Sequence, residues 1–321
     1  MNRADAVAAP VAASYAAADA LLAQRGRSFH WARRLLSERH AERATRLYGF
    51  CRRIDDLADE ATCPFEARAS LAAARRALQA GHTDDADWAD MLQLMGTCGI
   101  DASIPLELIR GVEGDLGDVR VADMDELLRY CYRVAGTVGL MMTAALDVTE
   151  PEALPHAIDL GIAMQLTNIC RDVREDALLG RRYLPFTLVG ALEPASLVDP
   201  TGAVRATAIR ALRTLLDLAD RHYASGEQGL RHLPPGARAG ICVAAETYRG
   251  IGAVLRQRDF DCWSARAMVG TSGKLAITLR ALAGSVAPHR GAPERPHAAP
   301  PGRVLPRHAG PPWSTEARIA D

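Results

Sequence analysis

Residues 165–176 read Gln165-Leu-Thr-Asn-Ile-Cys-Arg-Asp-Val-Arg-Glu-Asp176, and this stretch decides how the rest of the chain is interpreted. At helical spacing, two amides and two carboxylates share one face over about three turns, at i, i+3, i+7 and i+11: Gln165, Asn168, Asp172 and Asp176. Such oxygen ligands suit Mg²⁺, which proteins often share with substrate phosphates. Arg171 and Arg174 flank the stripe, and a guanidinium grips phosphate oxygens as a fork.

A second stripe of the same form lies upstream, in Tyr48-Gly-Phe-Cys-Arg-Arg-Ile-Asp-Asp-Leu-Ala-Asp-Glu60. Its polar residues fall at i, i+4, i+7 and i+11: Tyr48, Arg52, Asp55 and Asp59. One charged stripe is usual on a solvated helix face. Two carboxylate pairs at the same spacing, each beside an arginine, predict instead a cleft where two helices present acids to each other across metal ions. The two stripes together predict a diphosphate site.

The whole chain predicts an all-α protein. Its 321 residues are 49% hydrophobic and 24% charged, which allows a large core, and no stretch shows the sustained alternation of a strand. A net charge of −1 indicates no nucleic-acid partner. Seven cysteines without a C-x-x-C pair predict reduced thiols and a cytoplasmic location. The longest apolar run, Val134 to Leu146, is shorter than the ~20 residues of a membrane span, so no transmembrane segment is expected.

The expected organisation is a flexible N-terminal arm (1–18), one all-helical domain (19–284) and a proline-rich, disordered tail (285–321). Ser28 is expected to cap a helix. The acidic stripes are expected on helices 38–60 and 155–180. A long helix is predicted from Asp123 or Asp125 to Leu146, and another from Trp263 to Gly284.

Three stretches of the sequence resemble the squalene/phytoene synthase family. Arg46-Leu-Tyr-Gly-Phe-Cys-Arg-Arg-Ile-Asp-Asp-Leu-Ala-Asp59 resembles its first aspartate-rich motif. Residues 165–185, with the extension Gly180-Arg-Arg-Tyr-Leu-Pro185, resemble the second motif, which is the most specific. Tyr130-Cys-Tyr-Arg-Val-Ala-Gly-Thr-Val-Gly-Leu-Met-Met142 resembles the helix between them. The resemblance runs from about Ser28 to Lys274.

The resemblance implies an isoprenoid synthase type I helical bundle, with a central cleft lined by two aspartate-rich helices. It implies head-to-head condensation of two prenyl diphosphates, and it favours the branch that joins two geranylgeranyl diphosphates to phytoene in carotenoid biosynthesis. Mg²⁺ is the expected cofactor, with Mn²⁺ as a substitute, and no NADPH is expected. An apolar product leaves peripheral membrane association open as a route of release.

Individual roles follow from the stripes and from the matched motifs. The expected metal ligands are Asp55, Asp59, Asn168, Asp172 and Asp176. The expected catalytic residues are Asp55, Asp59, Asp172, Asp176, Arg52 and Tyr183. The expected substrate-binding residues are Ser28, Phe29, Tyr48, Arg52, Tyr130, Val134, Gly139, Gln165, Asn168, Arg171, Tyr248, Arg266 and Lys274.

Several of these residues have simpler interpretations. Ser28 could be only a helix cap and Phe29 a core aromatic. Gly136 and Gly139 could serve close helix packing rather than leave room for a lipid chain. Asp115 is interpreted as a loop or helix-end acid without a role at the site.

Other functions also remain open at this point. Squalene, dehydrosqualene and presqualene diphosphate synthases, which use farnesyl diphosphate, share most of the motif residues. A non-catalytic helical scaffold would be expected to lose the acid pairs. A Mg²⁺-dependent nucleotide phosphohydrolase would need polar residues where this chain has Val134, Ala135 and Leu140.

Overall fold

A computed structural model describes residues 15–286, and the all-α prediction is confirmed. Apart from one isolated parallel bridge between Arg120 and Arg182, this range contains no β pairing. Its helices are α1 (15–25), α2 (Arg27–Arg33), α3 (Glu38–Asp59), α4 (Pro64–Ala80), α5 (Ala86–Cys98), α6 (Ser103–Glu113), α7 (Met124–Cys131), α8 (Thr137–Ala145), α9 (Ala153–Arg171), α10 (Val173–Leu178), α11 (Phe186–Val189), α12 (Gly202–Gly229), α13 (Pro235–Gln257) and α14 (Thr271–Val286).

Helix α9 lies at the centre of the bundle. It packs against α8, α12 and α13. Its apolar residues Leu166, Ile169 and Cys170 are buried, as the spacing of the stripe predicts. The helix that carries the second acidic stripe is thereby fixed on several sides, which is the rigid support that a precise site needs.

The close contact of α9 with α8 and with the π-helical turn before it, Tyr132–Gly136, depends on glycine. A Cβ at Gly139 would lie 2.2 Å from the carbonyl oxygen of Ala157, and one at Gly161 would lie 2.3 Å from that of Ala135. Gly139 also lines the central cavity. The close-packing interpretation of this glycine is therefore correct, and its place on the cavity wall is a consequence of that contact.

The long helix predicted from Asp123 to Leu146 is interrupted by a π-helical turn, Tyr132–Gly136. Asp123 does cap its start, because its carboxylate accepts from the backbone N–H of Glu126 at 2.8 Å. A π turn widens the helix by one residue and recurs at functional sites. Here it separates Tyr130, beside the acidic residues, from the glycine contacts of α8.

The chain termini differ in part from the prediction. Helix α1 begins at residue 15, so residues 15–18 are helical rather than part of an arm. Alanine favours helix, and Ala18 is buried, its Cβ close to the backbone of Gly49. Helix α14 continues to Val286, past the predicted boundary at 284. The remainder of the predicted arm and tail, residues 1–14 and 287–321, lies outside the described residues.

Ser28 does not cap α2, contrary to the prediction. The helix begins at Arg27, two residues earlier than a cap at Ser28 implies, and its N-cap is Gly26. A Cβ at Gly26 would lie 2.7 Å from Leu22 and 2.9 Å from the ring of Tyr48, so a larger residue there would displace these side chains. Helix α3 begins at Glu38 as predicted, and Ser37 caps it by accepting from the backbone N–H of His40 at 3.3 Å.

Two further predicted helices differ in extent: one is broken near its end and the other begins later than predicted. The second acidic helix breaks at Asp172, whose backbone (φ −105°, ψ 19°) separates α9 from α10. Residues 263–270 are not helical. Asp259 and Phe260 have positive φ angles of 52° and 61°, and Asp261 then accepts hydrogen bonds from the backbone of Trp263 and Ser264 at 3.0 and 3.1 Å. This loop carries Arg266 to the second acidic motif.

Candidate active site

The first acidic helix presents acids in two directions. Asp55 lines the central cavity. Burial raises the pKa of Asp55 to about 7; the charge of Arg52 opposes this rise and the charges of Asp59 and Asp115 add to it. On the other side of α3, Asp56 binds Arg25 at 3.0 Å and also pairs with Arg52. Of the predicted pair, Asp55 lines the cavity, whereas Asp59 is exposed at the end of the helix.

Asp56 and Glu60 line a separate cavity of about 580 Å³ between α1, α3, α4 and α5. This cavity is larger than the central one, but no residue of the second acidic motif lines it. We therefore place the site in the cleft between α3 and α9.

Arg52 has an unused donor at this cleft. One of its nitrogens pairs with Asp56, while Nε is buried without a hydrogen-bond partner. A buried donor without a partner costs on the order of 1–3 kcal/mol. An anion arriving at the cleft would supply the missing acceptor.

The second motif is held by arginines. Arg266 contacts Asp172 with two nitrogens, at 3.0 and 3.1 Å, and Arg171 Nε donates to the same carboxylate at 2.7 Å. Burial raises the pKa of Asp176 to about 8, with the charge of Asp172 as the next cause.

Two oxygens of the second motif are buried without a partner. They are Oδ1 of Asn168 and Oε2 of Glu175. The amide nitrogen of Asn168 donates to Gln165 Oε1 at 3.3 Å, so its oxygen is the free end. Unpaired oxygens beside carboxylates of raised pKa are what a cation-binding site presents before the cation arrives.

Asp115 lies just after the end of α6, as a helix-end acid, but it also contacts two predicted site tyrosines, which the sequence interpretation did not include. Its two oxygens accept from Tyr130 at 3.0 Å and from Tyr183 at 2.6 Å, and the tyrosine rings stack at 4.8 Å. Burial raises the pKa of Asp115 to about 6, although the bond from Tyr183 and the charge of Arg181 lower it.

Arg181, in the extension of the second motif, forms an ion pair with an acid of the first motif. It contacts Asp59 Oδ1 at 3.2 Å across 122 residues of sequence. The loop that carries it is fixed by backbone bonds between Arg182 and residues 119–121, at 2.9 and 3.2 Å. Arg181 lies within the Gly-Arg-x-Tyr-Leu-Pro extension, and that motif was the signal that could have identified it.

The central cavity has a volume of about 320 Å³ and changes from polar to apolar along its length. Asp55, Gln165 and Asn168 lie at its polar mouth, and Leu146, Leu230 and Leu233 line it further in. Five of the predicted substrate-binding residues also line it: Phe29, Tyr48, Val134, Gly139 and Tyr248.

The other predicted residues do not line the cavity. Tyr130, Tyr183, Arg171 and Arg266 surround the acids at the mouth. Ser28 is half-buried on α2 and Lys274 lies in the first turn of α14; neither lines the cavity.

The acids are not yet gathered around one point. Within residues 15–286, no three acidic, histidine or cysteine side chains are placed to hold a metal ion together. The arginines explain this spacing, because Asp172 is held by Arg171 and Arg266 while Asp59 is held by Arg181.

Comparison with known proteins identifies the family of the chain. A family model described as squalene/phytoene synthase matches residues 22–273. A phytoene synthase of Pseudescherichia vulneris is 33% identical over 81% of this chain and 88% of its own length. A 15-cis-phytoene synthase of Pantoea ananas is 31% identical over 79% of this chain and 86% of its own.

Solved structures share the fold. A dehydrosqualene synthase in complex with a ligand superimposes with a TM-score of 0.76 at 24% identity, covering 85% of this chain and 97% of that one. A squalene synthase from Alicyclobacillus acidocaldarius gives a TM-score of 0.68 at 19% identity, covering 78% and 95%. From its motifs, its fold and these relatives, the chain belongs to the squalene/phytoene synthase family.

Proposed function

We propose that this chain is a prenyltransferase that joins two geranylgeranyl diphosphates head to head to form phytoene, in carotenoid biosynthesis. The observation that carries the proposal is that one and the same cavity, the central one, is polar at the acidic cleft and apolar beyond it. A prenyl diphosphate has the same division between a charged head and an apolar chain. Relatives 31–33% identical over most of the chain are phytoene synthases.

The residues at the mouth fit a divalent cation, and Mg²⁺ is the ion we propose, with Mn²⁺ as a substitute. The proposed ligands are Asp55, Asp59, Asn168, Asp172 and Asp176. The unpaired Oδ1 of Asn168 supports this set, as do the raised pKa values of Asp55 and Asp176. Bound Mg²⁺ would supply electrostatic stabilisation of charge on the leaving diphosphate.

Arginines would bind the diphosphate directly. Arg171, Arg181 and Arg266 each pair with an acid of the cleft, and Arg52 keeps its unpaired Nε. Guanidinium groups bind phosphate oxygens strongly and in a fixed geometry. We propose that these arginines turn from the carboxylates to the diphosphate when substrate enters, so that the carboxylates become available to the cation.

The apolar cavity would protect the carbocation left by the departing diphosphate. Its walls exclude water, which would otherwise capture the cation as an alcohol. In the proposed reaction, C1 of the ionised donor alkylates the acceptor double bond and then loses a proton to the released diphosphate as the ring closes, giving a cyclopropylcarbinyl diphosphate. That intermediate ionises, rearranges to a 1-1′ linkage and loses a proton, for which the retained diphosphate is the proposed acceptor. No electrons are required, so no NADPH is expected.

The test is product analysis with purified protein and Mg²⁺. We expect geranylgeranyl diphosphate to give a C40 hydrocarbon with a central triene, identified by mass and absorbance, with the same yield whether or not NADPH is added. Preference for farnesyl diphosphate with a C30 product would move the function to the squalene branch. No lipid from either substrate would contradict the prenyltransferase assignment.

Tyr183→Phe is predicted to lower kcat by about 10- to 100-fold, because Asp115 loses the bond that positions it between the motifs. That bond lowers the pKa of Asp115. Its loss should therefore raise this pKa and shift the acidic limb of the pH–rate profile to higher pH. Tyr223→Phe is the matched control: its hydroxyl lies 3.1 Å from Thr167 Oγ1, away from the cleft. An unshifted profile in Tyr183→Phe would argue against a role for Asp115.

The location is also a proposal. All seven cysteines lie within the described residues and none forms a disulfide, which supports a reducing compartment such as the cytoplasm. Among residues 15–286, no helix has both the length and the apolar character to cross a bilayer.

A further inference from the structure

One carboxylate oxygen of Asp56 serves two arginines. Oδ1 of Asp56 accepts from Nη1 of Arg25 at 3.0 Å, and the same oxygen pairs with Arg52, one turn before it on α3. Arg25 is the last residue of α1, so the two guanidinium groups come from different helices. Like charges at one oxygen repel each other, and a single carboxylate neutralises only one of them. Asp56 therefore has one cation more than its charge requires.

Arg52 is close to the mouth of the central cavity as well as to Asp56. Burial raises the pKa of both Asp55 and Tyr48, and the charge of Arg52 is the next cause, which lowers both. Asp55 and Tyr48 line the cavity. Nε of Arg52 is buried and has no hydrogen-bond partner. Of the two arginines, Arg52 is therefore the one that can turn to an anion at the mouth.

Arg25 is held beside Asp56 by contacts that do not involve Arg52. Two of its nitrogens contact Oε1 of Glu60, at 3.1 and 3.2 Å. Helix α1 is also packed on α3 nearer its start, where Ala18 is buried. Arg25 therefore stays available to Asp56 when Arg52 moves.

The second arginine changes the cost of moving the first. The side chain of Asp56 is only 23% exposed, and a partly buried carboxylate that loses its one partner is destabilised. With Arg25 in place, Asp56 stays paired when Arg52 leaves. The repulsion between the two guanidinium groups is removed by the same movement.

We propose that Asp56 and Arg25 are positioning residues that set how readily Arg52 turns to a diphosphate at the cavity mouth. Asp56 restrains Arg52 in the empty protein, and Arg25 neutralises Asp56 once Arg52 has left. Both residues act through Arg52 and not by contact with the diphosphate. The inference rests on the proposed function only in taking diphosphate as the anion that Arg52 binds.

The test is calorimetric titration of the full chain with inorganic diphosphate in Mg²⁺, which requires no condensation. Asp56→Asn should tighten binding by about 5-fold, because Arg52 no longer has to leave a carboxylate. Arg25→Gln should weaken binding by about 5-fold, because Asp56 then keeps Arg52 as its one partner. The double variant should bind as Asp56→Asn does, since Arg25 acts only through Asp56. Arg25→Lys keeps the charge and should bind nearly as the parent protein does.

Two matched controls remove one charge each without touching this group. Asp87→Asn removes an acid that pairs with Arg53 rather than Arg52. Arg110→Gln removes an arginine of α6 that pairs with Glu107. Both controls should bind diphosphate as the parent protein does, which separates the effect of Asp56 and Arg25 from a change in net charge.

Three outcomes would overturn the inference: weaker binding by Asp56→Asn, unchanged or tighter binding by Arg25→Gln, and no binding of diphosphate by the parent protein. Nearly half of the Arg25 side chain is exposed, so Arg25→Gln decides the question even where Asp56→Asn does not fold. Condensation of geranylgeranyl diphosphate is measured on the same samples. The expected order of diphosphate affinities without a lipid product contradicts the proposed function alone, whereas a lipid product with unchanged affinities contradicts this inference alone.

Discussion

Asp176→Asn is expected to lower kcat/KM by about 10³-fold or more and, in the absence of metal, to make the protein more stable at alkaline pH. The activity loss follows from removal of a charged ligand at the proposed cation site, where electrostatic stabilisation is the main catalytic contribution. The gain in stability follows from the position of Asp176, whose pKa burial raises to about 8.

The direction of the pH effect is fixed by that raised pKa. In the unfolded chain an aspartate has a pKa of about 3.9, so the folded state binds the proton more tightly. The stability from this proton is fully present below the unfolded pKa and is lost as pH rises through about 8. Asparagine has no such proton to lose. The variant's advantage in Tm should therefore be small at pH 4 to 5 and largest above pH 8, measured by thermal unfolding in EDTA.

When Mg²⁺ is added at alkaline pH, the parent protein should become more stable than Asp176→Asn. A cation that binds the ionised carboxylate stabilises the folded parent protein more as pH rises, whereas the variant should respond weakly. Asp101→Asn, an exposed acid at the start of α6, is the matched control for removal of one charge. Equal Mg²⁺ stabilisation of parent and Asp176→Asn proteins would contradict the ligand assignment.

The acid pairs could be found in the sequence because helical spacing is local. Asp55 and Asp59 need only the regular turn of α3 to share a face, and the apolar residues opposite them fix which face is buried. Gln165 and Asn168 on α9 follow the same rule. The break at Asp172 changes the helix axis but leaves Asp172 and Asp176 one turn apart, joined by a backbone hydrogen bond of 2.8 Å.

Asp115 and Arg181 could not be found by the same reasoning. Their place at the site depends on pairing between residues 119–121 and Arg182, more than 60 positions apart, and no periodic pattern encodes such a contact. The non-helical loop 263–270 was missed for a similar reason. Its cause is two positive φ angles at Asp259 and Phe260, and phenylalanine rarely adopts that conformation.

Gly161→Ala is expected to destabilise the fold by about 3 kcal/mol, since overpacking in a rigid core costs on the order of 1–3 kcal/mol and here the obstacle is backbone. The new methyl group would lie 2.3 Å from the carbonyl oxygen of Ala135, and no rotamer change can relieve that contact. Helix α9 and the π-helical turn must move apart. Thermal unfolding should show a fall in Tm of about 6–12 °C.

The same substitution should reduce activity beyond its effect on folding. Gly161 lies four and seven residues before Gln165 and Asn168, on the face of α9 that forms the cavity mouth. Gly96→Ala on α5 is the matched control, because a Cβ there meets nothing within 4 Å. It should stabilise the protein by about 0.5–1 kcal/mol through helix propensity and leave kcat unchanged. If both variants gained stability, the contact between α9 and the π-helical turn could not be as close as the structure places it, and the position of Asn168 at the mouth would need another support.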